Sequence, residues 1–79
     1  MTKEQAIKGI KEIMEEINTW RANDGGLTWA ATDALDLGEW LIYHIKRNER
    51  DIINEFDPFD TSTGAESDMI CIAQQWANQ

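Results

Sequence analysis

Apolar residues fall along the chain in three blocks, each at helical spacing. In the first, Ala6, Ile7, Ile10, Ile13, Met14, Ile17 and Trp20 lie three and four residues apart. Lys8, Lys11, Glu12, Glu15 and Glu16 occupy the other face. That period gathers the apolar side chains on one stripe of a helix. The stripe is wider than a coiled-coil seam, so it suits contact with two neighbours, as in a bundle. Thr2 followed by Gln5 has the form of a capping box, and the pattern predicts a helix over about 3–22. Asn23-Asp24-Gly25-Gly26 then reads as a loop, because glycine adopts positive φ without a Cβ clash.

The second block begins near Thr28 and continues at least to Arg47. Ala30, Ala34 and Gly38 recur every four residues, a strip of small side chains that permits close backbone approach, before Leu41, Ile42 and Ile45 supply bulk. In an apolar segment such a strip would suggest pairing of membrane helices. Asp33, Asp36 and Glu39 beside it mark a helix in water, so packing against the first helix is expected, with a helix-to-helix homodimer contact as the alternative. The acids lie in the first half of this block and Lys46, Arg47 and Arg50 in the second, the order that complements a helix dipole. Asn48-Glu49 interrupts the apolar pattern, which resumes at Ile52, Ile53 and Phe56. No Gly or Pro lies between Gly38 and Pro58. The favoured reading is one helix over 28–55 with a kink near 48. The other is a break there and a short extra helix near 49–56.

Pro58 lacks a backbone donor and turns Asp57 away from helical geometry, so Asp57-Pro58-Phe59-Asp60 stops the block. Thr63 and Glu66 form a second capping-box pattern. A last helix is expected over about 65–77, with Met69, Ile70, Ile72, Ala73 and Trp76 as its apolar positions. The expected fold is all-α: one domain over 1–79, a small antiparallel bundle of three main helices with short connections. No internal repeat, low-complexity tract or linker is present.

Composition agrees with this picture. Ten Ile, four Leu, three Met, four Trp, two Phe and one Tyr are enough for one core, and there is no valine to favour a sheet. A 79-residue domain buries only about two-thirds of its unfolded surface, so its stability is expected to be marginal. One cysteine excludes an intramolecular disulfide and a cysteine-based zinc site. No apolar run is long enough to span a membrane. The Met1–Gln5 start has no apolar run of the secretory kind, so a cytoplasmic protein is expected.

Charge changes the picture most. Seven basic against fifteen acidic residues give net −8, which excludes binding of nucleic acid through a broad basic surface. The imbalance is concentrated. Asp51, Glu55, Asp57, Asp60, Glu66 and Asp68 lie in residues 51–79 with no Lys or Arg among them. Such a block steers basic partners and repels nucleic acid. It reads as a decoy that occupies a basic site on another protein, set against the plainer reading of solubility and of acids favoured at a helix N-terminus. The partner-binding candidates are therefore Asp57, Asp60, Glu66 and Asp68, joined by Trp40, Tyr43, Asp36 and Glu39. Trp40 and Tyr43 fall one step off the apolar stripe, and Trp and Tyr dominate interface hot spots. A homodimer is among the interfaces they suit. Trp20 and Trp76 are expected in the core.

Catalytic and metal chemistry find little support. His44 is the sole histidine, so neither a His ligand pair nor a Ser-His-Asp set exists. It is expected at the helix surface or boundary, and Cys71, between Ile70 and Ile72, in the core. Counting from Asp60, position 5 of a calcium loop falls on Gly64, which breaks the EF-hand spacing. Asp24-Gly25-Gly26 lacks the Lys-Ser/Thr of a phosphate loop. No catalytic residue, metal or cofactor is assigned. The leading expectation is a small acidic inhibitor that binds a larger protein with a basic surface, such as a nuclease or nucleic-acid-binding complex. Phage and mobile-element proteins of the anti-CRISPR, anti-defence and host-takeover kinds have this style. The alternatives are a toxin-immunity protein and an oligomeric sponge for a signalling nucleotide, in which Lys46, Arg47 and Arg50 would bind phosphate with Tyr43 and His44 nearby. A helical transcription regulator is disfavoured by the acidic balance.

Overall fold

Each main helix starts where a threonine takes up free backbone N–H groups. In the computed structural model, which describes residues 1–79, α1 spans Lys3–Ile17, α2 Trp29–Lys46, α3 Arg50–Ile53 and α4 Gly64–Ala77. Thr2 accepts from the N–H of Gln5 while the Gln5 side chain accepts from the N–H of Thr2, a complete capping box. Thr28 caps α2 through the N–H of Ala31. Thr63 caps α4 through the N–H of Glu66, but the return bond differs: the Thr63 hydroxyl donates to Glu66 Oε1 at 3.0 Å. Removing such a cap costs about 1 kcal/mol.

The fold is all-α. Helices α1, α2 and α4 pack on one another, and α3 lies against α2 and α4. Ala6, Ile10 and Ile17 of α1 meet Ala31, Ala34, Leu41 and Ile45 of α2 and Met69, Ala73 and Trp76 of α4 in one core, closed by Ile53 of α3. Gly38 is the tightest point. A Cβ there would lie 2.7 Å from Met14 Sδ of α1 and 3.1 Å from Met69 Sδ of α4, so any larger side chain would force a methionine to move.

Several expectations are corrected. α1 stops at Ile17 rather than near 22. The N–H groups of Thr19 and Trp20 turn back to the carbonyls of Glu16 and Ile17, and the Thr19 hydroxyl takes the Glu16 carbonyl as well. Residues 21–27 then fold back on themselves through a single antiparallel bridge between Arg21 and Leu27, with Gly25 at φ +85°. Trp20 is half-buried at the edge of the core, while Trp76 is buried within it.

Helix two does not continue to 55. Asn48 adopts φ +59°, the N–H of Asn48 bonds the carbonyl of Ile45, and that of Glu49 bonds the carbonyl of His44. This is a Schellman stop, in which asparagine takes the left-handed position usually held by glycine. Ala30 is exposed, and the small-residue strip is Ala31, Ala34 and Gly38. His44 is buried and Cys71 is exposed, the reverse of both expectations. Cys71 follows Ile70 by one helical step of about 100°, which carries it off the buried stripe of Met69, Ala73 and Trp76.

Candidate functional site

Polar side chains of α3, α4 and the residues that follow them tie the end of α4 to α3 and the segment after it. Gln74 Nε2 donates to the carbonyls of Ile53 and Phe56, at 3.3 and 2.7 Å. Asn54 and Asn78 exchange two side-chain amide bonds. Arg50 donates through Nη1 to the Trp76 carbonyl at 2.6 Å, with its guanidinium 4.2 Å above the Trp76 ring. These bonds fix the start of the acidic loop.

That loop presents a turn. Asp57 Oδ1 accepts the N–H of Phe59 at 2.9 Å, and the Asp57 carbonyl accepts the N–H of Asp60 at 3.2 Å. The Phe59 ring projects from it, 94% exposed, between two exposed aspartates. Asp68 is also exposed, on α4, whereas Glu66 is half-buried and bonded to Thr63. The Arg47 ion pair and the His44 hydrogen bond both go to Glu49, so none of the six acids in residues 51–79 has a cationic partner.

The outer face of α2 is the second candidate region. Trp40 and Tyr43 are 60% and 53% exposed, with Asp36 and Glu39 exposed on the same helix. Glu39, Trp40 and Tyr43 line a shallow depression, and another lies between Trp40, Ile52 and Phe56. Beneath the aromatics sits His44, 6% exposed, with ring centroids 5.4 Å from Trp40 and 5.2 Å from Tyr43. Its Nδ1 is 3.1 Å from Glu49 Oε1, which also accepts from Arg47 Nε at 2.9 Å. The hydrogen bond with His44 is the main cause that holds the Glu49 carboxyl below its ordinary value of 4.5, with Arg47 adding to it and partial desolvation opposing. Arg47 also stands 5.2 Å from the Tyr43 ring centroid.

The three cations considered for phosphate are engaged separately. Arg50 is turned to the end of α4 and Arg47 to Glu49 and Tyr43, while Lys46 is exposed without an ion pair. No group of three or more His, Cys, Asp or Glu side chains is placed to hold a metal ion. No helix is long and apolar enough to cross a membrane. The chain matches no protein-family model, no curated protein and no solved structure.

Two exposed aromatics went unnoticed in the sequence. Phe59 follows a proline in a turn between acids, a context that leaves an aromatic outside any helical stripe. Trp29 is 87% exposed at the first residue of α2, two residues before the buried stripe opens at Ala31.

Proposed function

We propose that this protein is a non-enzymatic, cytoplasmic inhibitor that binds a larger protein through its acidic end and occupies a basic surface used for nucleic acid. The observation that carries this reading is Phe59, projecting from a bonded turn between the exposed Asp57 and Asp60, in a segment whose six acids form no ion pair. An exposed aromatic anchor within a field of one sign combines the two elements of a fast, specific contact. Charge steers the encounter and the ring fills a pocket on arrival. The setting such a decoy fits is counter-defence or host takeover by a phage or mobile element. Phosphate binding by Lys46, Arg47 and Arg50 is less favoured, because two of the three are already bonded within the chain.

The test is capture of partners from a host lysate at low and high salt, followed by kinetics on the captured protein. Asp60→Lys/Asp68→Lys should slow association by about 10-fold at low salt, and Phe59→Ala should speed dissociation. Asp57 and Glu66 are left intact, because the first accepts the Phe59 N–H in the turn and the second belongs to the cap of α4. An unchanged association rate in the double reversal would refute the acidic end as the docking surface.

A further inference from the structure

The exposed face of α2 carries its own pattern. Trp29, Asp33, Asp36, Trp40, Tyr43 and Arg47 are all exposed and follow one another by alternating steps of four and three, the spacing of a coiled-coil seam. Glu39 and Lys46, also exposed, flank that seam at equivalent positions seven residues apart. The Arg47 guanidinium over the Tyr43 ring places both side chains on the same stripe. Charge along the stripe is polar, acidic towards the start of α2 and basic at its end, with the aromatics in the middle.

We propose that this face binds a second copy of the chain, with the two α2 helices antiparallel about a two-fold axis between Trp40 and Tyr43. A two-fold contact makes every pair occur twice. With the axis there, Trp40 faces the second copy's Tyr43, Glu39 faces the second copy's Lys46, and Asp36 faces the second copy's Arg47, which bonds Glu49 through Nε alone and is otherwise open to solvent. Aromatic meets aromatic and both charged pairs are of opposite sign. Other registers lose this. Sliding by one heptad sets Glu39 against its own copy, and sliding by two sets Asp33 against Asp36. A parallel pairing sets Asp33 and Asp36 of the seam each against its own copy. With that axis the two copies of α2 overlap over about residues 36–47, roughly 16 Å of helix. A single helix face of that length buries less than the roughly 800 Å² per partner of a standard interface, so dissociation on the order of micromolar or weaker is expected. This inference is independent of the acidic-end reading, since it uses a different surface and needs no partner protein.

Sedimentation equilibrium of the isolated chain across a concentration series tests it, with Glu39→Lys, Lys46→Glu and the double swap. Neither side chain is in an ion pair within the chain, and far-ultraviolet circular dichroism verifies that each variant keeps its helices. The expected result is a monomer–dimer equilibrium that each single reversal weakens by about 10-fold and the swap restores to within about 3-fold. Two results overturn it: a monomer up to about a thousandfold above the expected micromolar dissociation constant, or a dimer indifferent to the single reversals.

Discussion

Replacing Gly38 with alanine sets two effects of similar size against each other, and the structure says which wins. Within a helix, alanine is favoured over glycine by about 1 kcal/mol. At this site the added methyl meets Met14 Sδ at 2.7 Å and Cγ at 2.8 Å, and Met69 Sδ at 3.1 Å. Distances under 3 Å force movement, and overpacking of this kind costs about 1–3 kcal/mol. Met69 is fully buried and has little room, whereas Met14 is half-buried and can swing outwards at a cost in lost packing. Taking the middle of the range, Gly38→Ala should destabilise by about 1 kcal/mol. For a domain of this size that lowers Tm by about 4–8 °C.

The same reasoning predicts a sign change in a double-mutant cycle. Met14→Ala removes both of the closest atoms. In that background the helix preference of alanine is opposed only by the 3.1 Å approach of Met69, so adding Gly38→Ala should be neutral or stabilising by up to about 1 kcal/mol. Urea unfolding followed by tryptophan fluorescence, with the four proteins compared at constant m-value, reads the coupling directly. If Gly38→Ala costs the same with and without Met14, the close approach of α1 and α2 is not what requires glycine here.

Other perturbations follow from single contacts. Arg50→Met should lower stability by about 2 kcal/mol, because it removes a charged hydrogen bond to the Trp76 carbonyl and a cation over the Trp76 ring; thermal unfolding measures it, and an unchanged Tm would contradict the clamp. Glu49 is held below its ordinary value of 4.5, chiefly by its hydrogen bond with His44. Its contribution to stability is therefore complete above that value and is lost as pH falls through the lower folded value. The stability gap between the wild type and Glu49→Gln should be widest near neutral pH and close on acidification below 4.5, so a gap that widens there would mean that folding does not favour the Glu49 carboxylate.

The helices and two of the three caps were legible because they rest on local rules. Thr2 with Gln5, and the apolar steps of three and four, act within a few residues of chain. What the sequence concealed was decided by single residues or by distant ones. Asn48 looks like any polar helix residue, yet it adopts the left-handed conformation that ends α2, and no glycine advertises the stop. The bridge between Arg21 and Leu27 has no periodic signature. His44 follows the exposed Tyr43 by one position, but the turned-back Glu49 bonds it, and it lies in a depression beside Ile52 and Phe56. Trp40, Tyr43, Asp36 and Glu39 were readable as an outward face from their phase on the helix. Phe59 was not, because a loop aromatic has no phase from which to read its exposure.

The placement of the cations bears on how the acidic end is to be understood. Lys3 donates to the carbonyl of Lys46 at the end of α2, and Arg50 donates to the carbonyl of Trp76 near the end of α4. Both satisfy carbonyls that a helix terminus leaves without partners. Arg47 is held by Glu49, outside the acidic third. The few basic residues near helix ends thus serve the fold, and none neutralises an acid beyond residue 50. A net charge of −8 on so small a domain opposes compaction by self-repulsion. A single Lys in place of Asp60 or Asp68 would relieve part of that repulsion without removing a side-chain hydrogen bond, whereas Asp57 holds the Phe59 N–H. The loop that carries these acids is instead anchored at its start by Arg50, Gln74, Asn54 and Asn78, side chains that hold repelling charges close to the core. Stability alone gives no reason to anchor an uncompensated acidic loop, whereas docking on a basic surface requires both its charge and its fixed shape.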